Sequence, residues 1–214
     1  MKRQLERRSY ACEVRAKDDE QGSIIVGRPI VYESMTDLGD FNEIIHKGAL
    51  DKTNLQDVRF LINHDTSKIP LARSRRNTKN STMQLTVDDN GLSVRVLLDT
   101  ENNADARALY SAVQRGDISG MSFMFGIDGE DWEDIESDHP TRHIRSISSV
   151  VEVSAVTFPA YEDTEISARL KDNPALESAG QALENARQDA RIKDLELEKL
   201  KLEYLLDLKG LIKR

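Results

Sequence analysis

Ser122, His64 and Glu152 are the side chains of this sequence whose types could combine into nucleophilic catalysis. Ser122 lies in Ile118-Ser119-Gly120-Met121-Ser122-Phe123-Met124-Phe125-Gly126, a hydroxyl flanked by large apolar residues behind a glycine. It reads as a nucleophile or as a satisfied core hydroxyl. The Gly-x-Ser-x-Gly elbow is absent, because position 124 is Met124 and no strand–turn–helix follows, which disfavours a conventional hydrolase fold. His64 closes the run Leu61-Ile62-Asn63-His64-Asp65. A strand end there would hold an imidazole rigidly enough for a general base, or bury it as a structural histidine. Glu152 interrupts the apolar stretch Val150-Val151-Glu152-Val153. A carboxylate buried alone is costly, so it must meet an arginine, reach water at a strand edge, or hold His64 by the nitrogen facing away from Ser122. Ser–His constellations are recognised by geometry, not by order in the chain.

The other histidines suggest less. His46 precedes Lys47-Gly48 near a turn, and His139 stands before Pro140 beside an acidic run, facing solvent. With His143 they form no His-x-Glu or His-Glu-x-x-His pattern, and Cys12 is the single cysteine. No metal, cofactor or disulfide framework is therefore expected. The acidic run 128–138 holds seven carboxylates in eleven residues but lacks the order of a calcium loop, so it reads as a mobile solvated loop. The basic stretch 73–79 reads as an exposed loop.

Positioning such residues needs strands, and turn-bounded apolar runs supply them at 9–14, 23–27, 58–62, 118–127 and 144–158. Residues 82–87 alternate with period two, Asp88-Asp89-Asn90-Gly91 follows, and a second run occupies 92–98, a hairpin signal. A helix is expected over about 103–114, with Gly116 as its C-cap. Many short strands and few helices predict a sandwich or barrel. From Pro174 the composition changes: Leu183, Ala190, Leu197, Tyr204 and Leu211 recur every seven residues, with Ala179, Ala186, Lys193, Leu200 and Asp207 as companions. That predicts a long helix with a weak coiled-coil seam, and a division into 1–170 and 171–214. The chain of 214 residues carries a net charge of −8, which argues against sequence-independent nucleic-acid binding. No apolar run nears the roughly 18 residues of a membrane span, and the charged start reads as no secretory signal.

Taken together, four segments resemble the prohead maturation proteases of tailed phages, relatives of the herpesvirus assemblins. The carriers are Asn63-His64-Asp65 with Pro70-Leu71-Ala72-Arg73, then Gly91-Leu92, then Arg115 to Phe125 with Trp132, then Val151-Glu152-Val153-Ser154-Ala155-Val156-Thr157-Phe158-Pro159-Ala160-Tyr161. The resemblance implies an α+β fold: a mainly antiparallel β-barrel of the assemblin type with a few flanking helices, plus the long C-terminal helix. It implies a serine endopeptidase cutting the scaffold or the major capsid protein inside the immature prohead in the host cytoplasm, with self-cleavage left open. Ser122 would be the nucleophile, His64 the base and Glu152 the third member, with His143 as the alternative, because the herpesvirus relatives use a second histidine. Met124 departs from the small residue common in the family. Backbone amides near Gly120 or in 141–146 are the candidate oxyanion donors. The implied partners are the capsid protein with its scaffold region and further copies of the chain, at least as a dimer, without membrane or nucleic acid. The competing readings are a non-catalytic capsid-assembly or scaffolding protein working through its C-terminal helix, and an unrelated β-barrel binding module.

Overall fold

The computed structural model describes residues 5–11, 14–157 and 174–208. Cys12, residues 158–161 of the last motif, Asp172-Asn173 and Leu211 lie outside the described residues. The strands are β1 (Leu5–Ala11), β2 (Arg15–Asp19), β3 (Gly22–Val31), β4 (Met35–Asp37), β5 (Asn42–Ile45), β6 (Asp57–Ile62), β7 (Ala72–Arg75), β8 (Met83–Asp88), β9 (Gly91–Leu97), β10 (Gly120–Glu133) and β11 (Thr141–Val156). Helix α1 (Ala104–Arg115) precedes β10, and α2 (Pro174–Leu208) ends the described chain.

Alternation along β10 builds the layer that carries the site. Met121, Phe123 and Phe125 enter the core with Phe60, Val153 and Ala155. Successive side chains of a strand point to opposite faces, so Ser122 and Met124 face the other way. β10 and β11 form a long antiparallel pair, with β1 antiparallel on the outer edge of β10. Two short strands divide the far edge of β11, both parallel to it: β5 along residues 141–144 and β6 along 152–155. β4 and β7 extend β5 and β6. A second, all-antiparallel sheet in the order β2-β3-β9-β8 supplies Ile25, Leu92, Val94 and Val96 to the same core.

Among the described residues the fold is α+β and strand-rich, with one short and one long helix. The expected barrel does not form among the described residues. The larger sheet branches at β11 instead of closing, because β5 and β6 divide one edge end to end, and the smaller sheet ends openly at β2 and β8.

Local signals explain several elements. Asn103 caps α1, its side chain accepting from the amides of Asp105 and Ala106, and Gly116 ends it at φ 80°. The β8–β9 hairpin requires Gly91: at φ +130° an added Cβ would lie 2.0 Å from the Ile30 carbonyl oxygen.

Two segments expected as loops are strands in their first halves and turns in their second, at 134–138 and 76–79. The acidic run continues β10 as far as Glu133, because its carboxylates meet cations across the ladder: Glu130 pairs with Arg142, and Asp131 with Arg145 at 3.1 Å. Of the basic stretch, Arg73 to Arg75 belong to β7, where Arg73 binds Asp57 at 2.6 Å.

The start of α2 is docked. Ala179 and Leu183 are buried with Leu38 and Phe41, and Trp132 and Ile135 pack alongside. The Arg187 guanidinium donates to the carbonyls of Ile135 (3.2 Å) and Ser137 (2.8 Å). Beyond it, Ile192, Leu195, Leu197, Leu200, Leu202, Tyr204, Leu205 and Leu208 are exposed. No described helix is long and apolar enough to cross a membrane.

Candidate active site

Opposed residues of an antiparallel pair share a sheet face, and the register sets Ser122 against Ser154 and Met124 against Glu152. Beyond Met124 the register shifts, so that Phe125 opposes Val150. This bulge lets Val150 and Val153 both reach the core while Glu152 stays on the face of Ser122. His64 arrives from β6, two residues past its end. Asn63 and His64 both adopt left-handed conformations, at φ 50° and 59°, which turn the chain back over β11. That turn is tied down by the Asn63 amide on the Ala155 carbonyl (2.9 Å) and by the Asn63 side chain on Thr157.

The result is a continuous chain of polar contacts. His64 Nδ1 lies 2.5 Å from Glu152 Oε2, and His64 Nε2 lies 2.5 Å from Ser122 Oγ. The side chains of His64 and Glu152 are 12% and 5% exposed, and Ser122 is fully buried. With Nδ1–H donating to the carboxylate, Nε2 is left as the acceptor that a hydroxyl needs to lose its proton.

His143 is elsewhere. It precedes Glu152 by nine residues on β11, about 30 Å at strand rise. Its Nδ1 meets His46 Nε2 at 2.9 Å and its Nε2 meets Glu133 at 3.2 Å, while His46 Nδ1 contacts Glu33 at 3.1 Å. His139 is exposed, 3.5 Å from Asp37. Residues 141–146 pair with β10 and β5 at least eight positions from Ser154, roughly 26 Å of strand, too far to polarise a carbonyl at Ser122.

Three participants were missing from the sequence reading. Ser154 Oγ accepts from the His64 amide at 3.0 Å and donates to Glu152 Oε1. The spacing 152, 154 on one strand face was the available signal. The Arg8 carbonyl accepts from Ser122 Oγ at 2.7 Å, a contact that no side-chain pattern announces. Thirdly, a buried ionic cluster anchors β1. Arg8 binds Glu43 and Glu6, each at 2.7 Å, and Arg142 binds Glu6 at 2.7 Å, Glu43 at 3.1 Å and also Glu130. Burial alone would raise the Glu6 carboxyl, but the Arg142 hydrogen bond and the charges of Arg8 and Arg142 hold it below its ordinary value. Burial opposes the Arg142 charge, and the Glu6 hydrogen bond with the Glu43 and Glu6 charges raises its pKa regardless.

The family model of the caudovirus prohead serine proteases matches residues 10–178. The chain belongs to this family. All three residues of the His64 contact chain fall inside the matched span of this prohead serine protease family member. The prohead protease of Enterobacteria phage HK97 is 30% identical over 160 residues, covering 73% of this chain and 64% of that protein. The chain thus spans just under two thirds of the length of this relative. The solved structure of the bacteriophage T4 capsid assembly protease aligns with 74% of this chain and all of its own, at 13% identity and a TM-score of 0.45.

Proposed function

We propose that this chain is a serine endopeptidase that cleaves the scaffold or capsid protein inside the immature phage prohead during head maturation. What supports this reading is the unbroken Ser122–His64–Glu152 contact chain, at 2.5 Å on each side of the imidazole, in a member of the prohead serine protease family. Ser122 is the nucleophile, His64 the general base and Glu152 the third member.

The chemistry follows from the polarity of the contacts. His64 Nε2 takes the Ser122 proton as Oγ bonds to the scissile carbonyl carbon. The imidazolium that forms is stabilised by Glu152, whose carboxylate also keeps the neutral ring in the Nδ1–H tautomer. Collapse of the tetrahedral intermediate breaks the C–N bond, and Nε2 returns the proton to the leaving amine. Water, deprotonated by the same nitrogen, then releases the acyl group.

In this reading residues 1–170 form the protease and 171–214 a helical tail. The exposed apolar residues from Ile192 onward serve self-association or contact with the scaffold, at least as a dimer. The whole works within the assembling prohead.

The deciding experiment co-expresses the chain with the capsid gene product and measures fragment masses. Wild type yields defined fragments, and Ser122→Ala yields none while retaining its fold. Cleavage by the alanine variant at the wild-type rate removes the serine assignment. The burial of Ser122 and its bond to the Arg8 carbonyl favour the second reading, a non-catalytic assembly protein. That reading stands if wild type enters shells without cutting anything.

A further inference from the structure

We infer that Ser154 is a positioning residue, whose single hydroxyl sets both the Glu152 carboxylate and the backbone from which His64 projects. The inference rests on the proposed triad. Ser154 is fully buried, on the face of β11 that carries Glu152, and directly opposite Ser122 in the ladder. Its Oγ has two partners of opposite polarity. The His64 main-chain N–H can only donate, so Oγ accepts there at 3.0 Å. The hydroxyl proton is then free for Glu152 Oε1, to which it donates.

Each partner has a defect that this bond corrects. His64 holds a left-handed backbone at φ 59° directly after another at φ 50°, a conformation that non-glycine residues keep only when tertiary contacts impose it. Asn63 is fixed by its own bonds to Ala155 and Thr157, and the Ser154 hydroxyl fixes the next amide. Glu152 spends only Oε2 on His64 Nδ1. Without a donor, its buried Oε1 would be unsatisfied, and the carboxylate would rotate about its last bond to find one. With Ser154 in place both oxygens are engaged and the carboxylate plane is set, so Nδ1–H has one fixed acceptor. Imidazole orientation and carboxylate orientation thus depend on one atom.

The test compares Ser154→Thr with Ser154→Val, two side chains of nearly equal shape that differ in the hydroxyl, in the full-length chain. The probe is an alkyl fluorophosphonate. It reacts when Ser122 Oγ bonds to phosphorus, fluoride leaves and the serine proton passes to His64, so it reads nucleophile activation without a known peptide substrate. Wild type should label and Ser122→Ala should not. Ser154→Val should label about 10- to 100-fold more slowly at an unchanged half-saturating probe concentration, the range seen when the outer hydrogen bond behind a metal-bound histidine or carboxylate is lost. Ser154→Thr should recover to within about threefold of wild type. A second readout is the far-downfield proton resonance of a histidine Nδ1–H bonded to a carboxylate, expected in wild type and Ser154→Thr and lost in Ser154→Val. If Ser154→Val labels at the wild-type rate, the positioning role is overturned and the triad survives. If wild type labels no faster than Ser122→Ala, the triad reading fails and takes this inference with it. Equal slowing in both variants assigns Ser154 to packing alone and also overturns the role.

Discussion

Ser122 Oγ donates to the main-chain carbonyl of Arg8 across 2.7 Å, while His64 Nε2 stands 2.5 Å away from the same oxygen. A hydroxyl has one proton, so these acceptors compete for it. The strand that carries the Arg8 carbonyl is fastened by the ionic cluster of Arg8, Glu6, Glu43 and Arg142. Fold and candidate site therefore share β1.

The first prediction separates the two candidates for the third position of the proposed triad. Glu152→Gln should lower the cleavage rate by about 10⁴-fold, because an amide can hold the ring in the wrong tautomer and cannot stabilise an imidazolium. His143→Asn should leave the rate within about twofold, since His143 is bonded to His46 and Glu133 far along β11. Steady-state kinetics on the identified substrate decide it, and the opposite ranking would move the role to His143.

Acid should loosen β1 through Glu6. Its folded pKa lies below the ordinary 4.5, so its contribution to stability is complete above pH 4.5 and is lost as pH falls through the lowered value. Wild type should lose unfolding free energy steeply on acidification below that point. Glu6→Gln should start about 3 kcal/mol less stable at neutral pH, from leaving buried arginines underpaired, and show a shallower acid slope. Denaturant midpoints against pH give both numbers, and parallel slopes would acquit Glu6.

Where the chain can be shortened is a third consequence. Ending it after residue 188 keeps Ala179, Leu183 and Arg187 on the body, and should preserve both the fold and cutting of a free peptide. Ending it at Arg169 uncovers Leu38 and Phe41 and should cost about 2–4 kcal/mol. Thermal unfolding of the two truncated chains is the measurement. Equal stability would mean that the first turns of α2 contribute nothing to the body.

Gly91→Ala should be among the most damaging single substitutions. The new Cβ would sit 2.0 Å from a main-chain oxygen of β3 at a φ of +130° that alanine avoids. A loss of about 3 kcal/mol or more is expected from strain and overpacking together. A midpoint shift below about 1 kcal/mol would show that the hairpin relaxes.

Much of this molecule was legible in its residues because the decisive signals are local. The Asn103 cap and Gly116 stop bracket α1, and Asn90-Gly91 turns β8 into β9. Pro174 opens the long helix. Ser122, His64 and Glu152 stood out because each is a polar group set in or beside an apolar strand. Other features depend on partners distant in the chain. Residues 128–133 read as a loop, since the positive charges of Arg142 and Arg145 lie across a register no local pattern specifies. Among the described residues no barrel closes, because β5 and β6 take successive halves of one edge, a matter of competition for hydrogen-bonding positions along β11. His143 could be separated from the contact chain only by the length of that strand. Ser154 acquired its place because His64 comes back over β11 in a left-handed turn, and that turn exists only where Ala155, Thr157 and Ser154 itself hold it. Side-chain types are carried by the sequence, whereas which polar atoms meet is decided by long-range strand pairing, because a hydrogen bond acts over about 3 Å and nothing in sequence order conveys that distance.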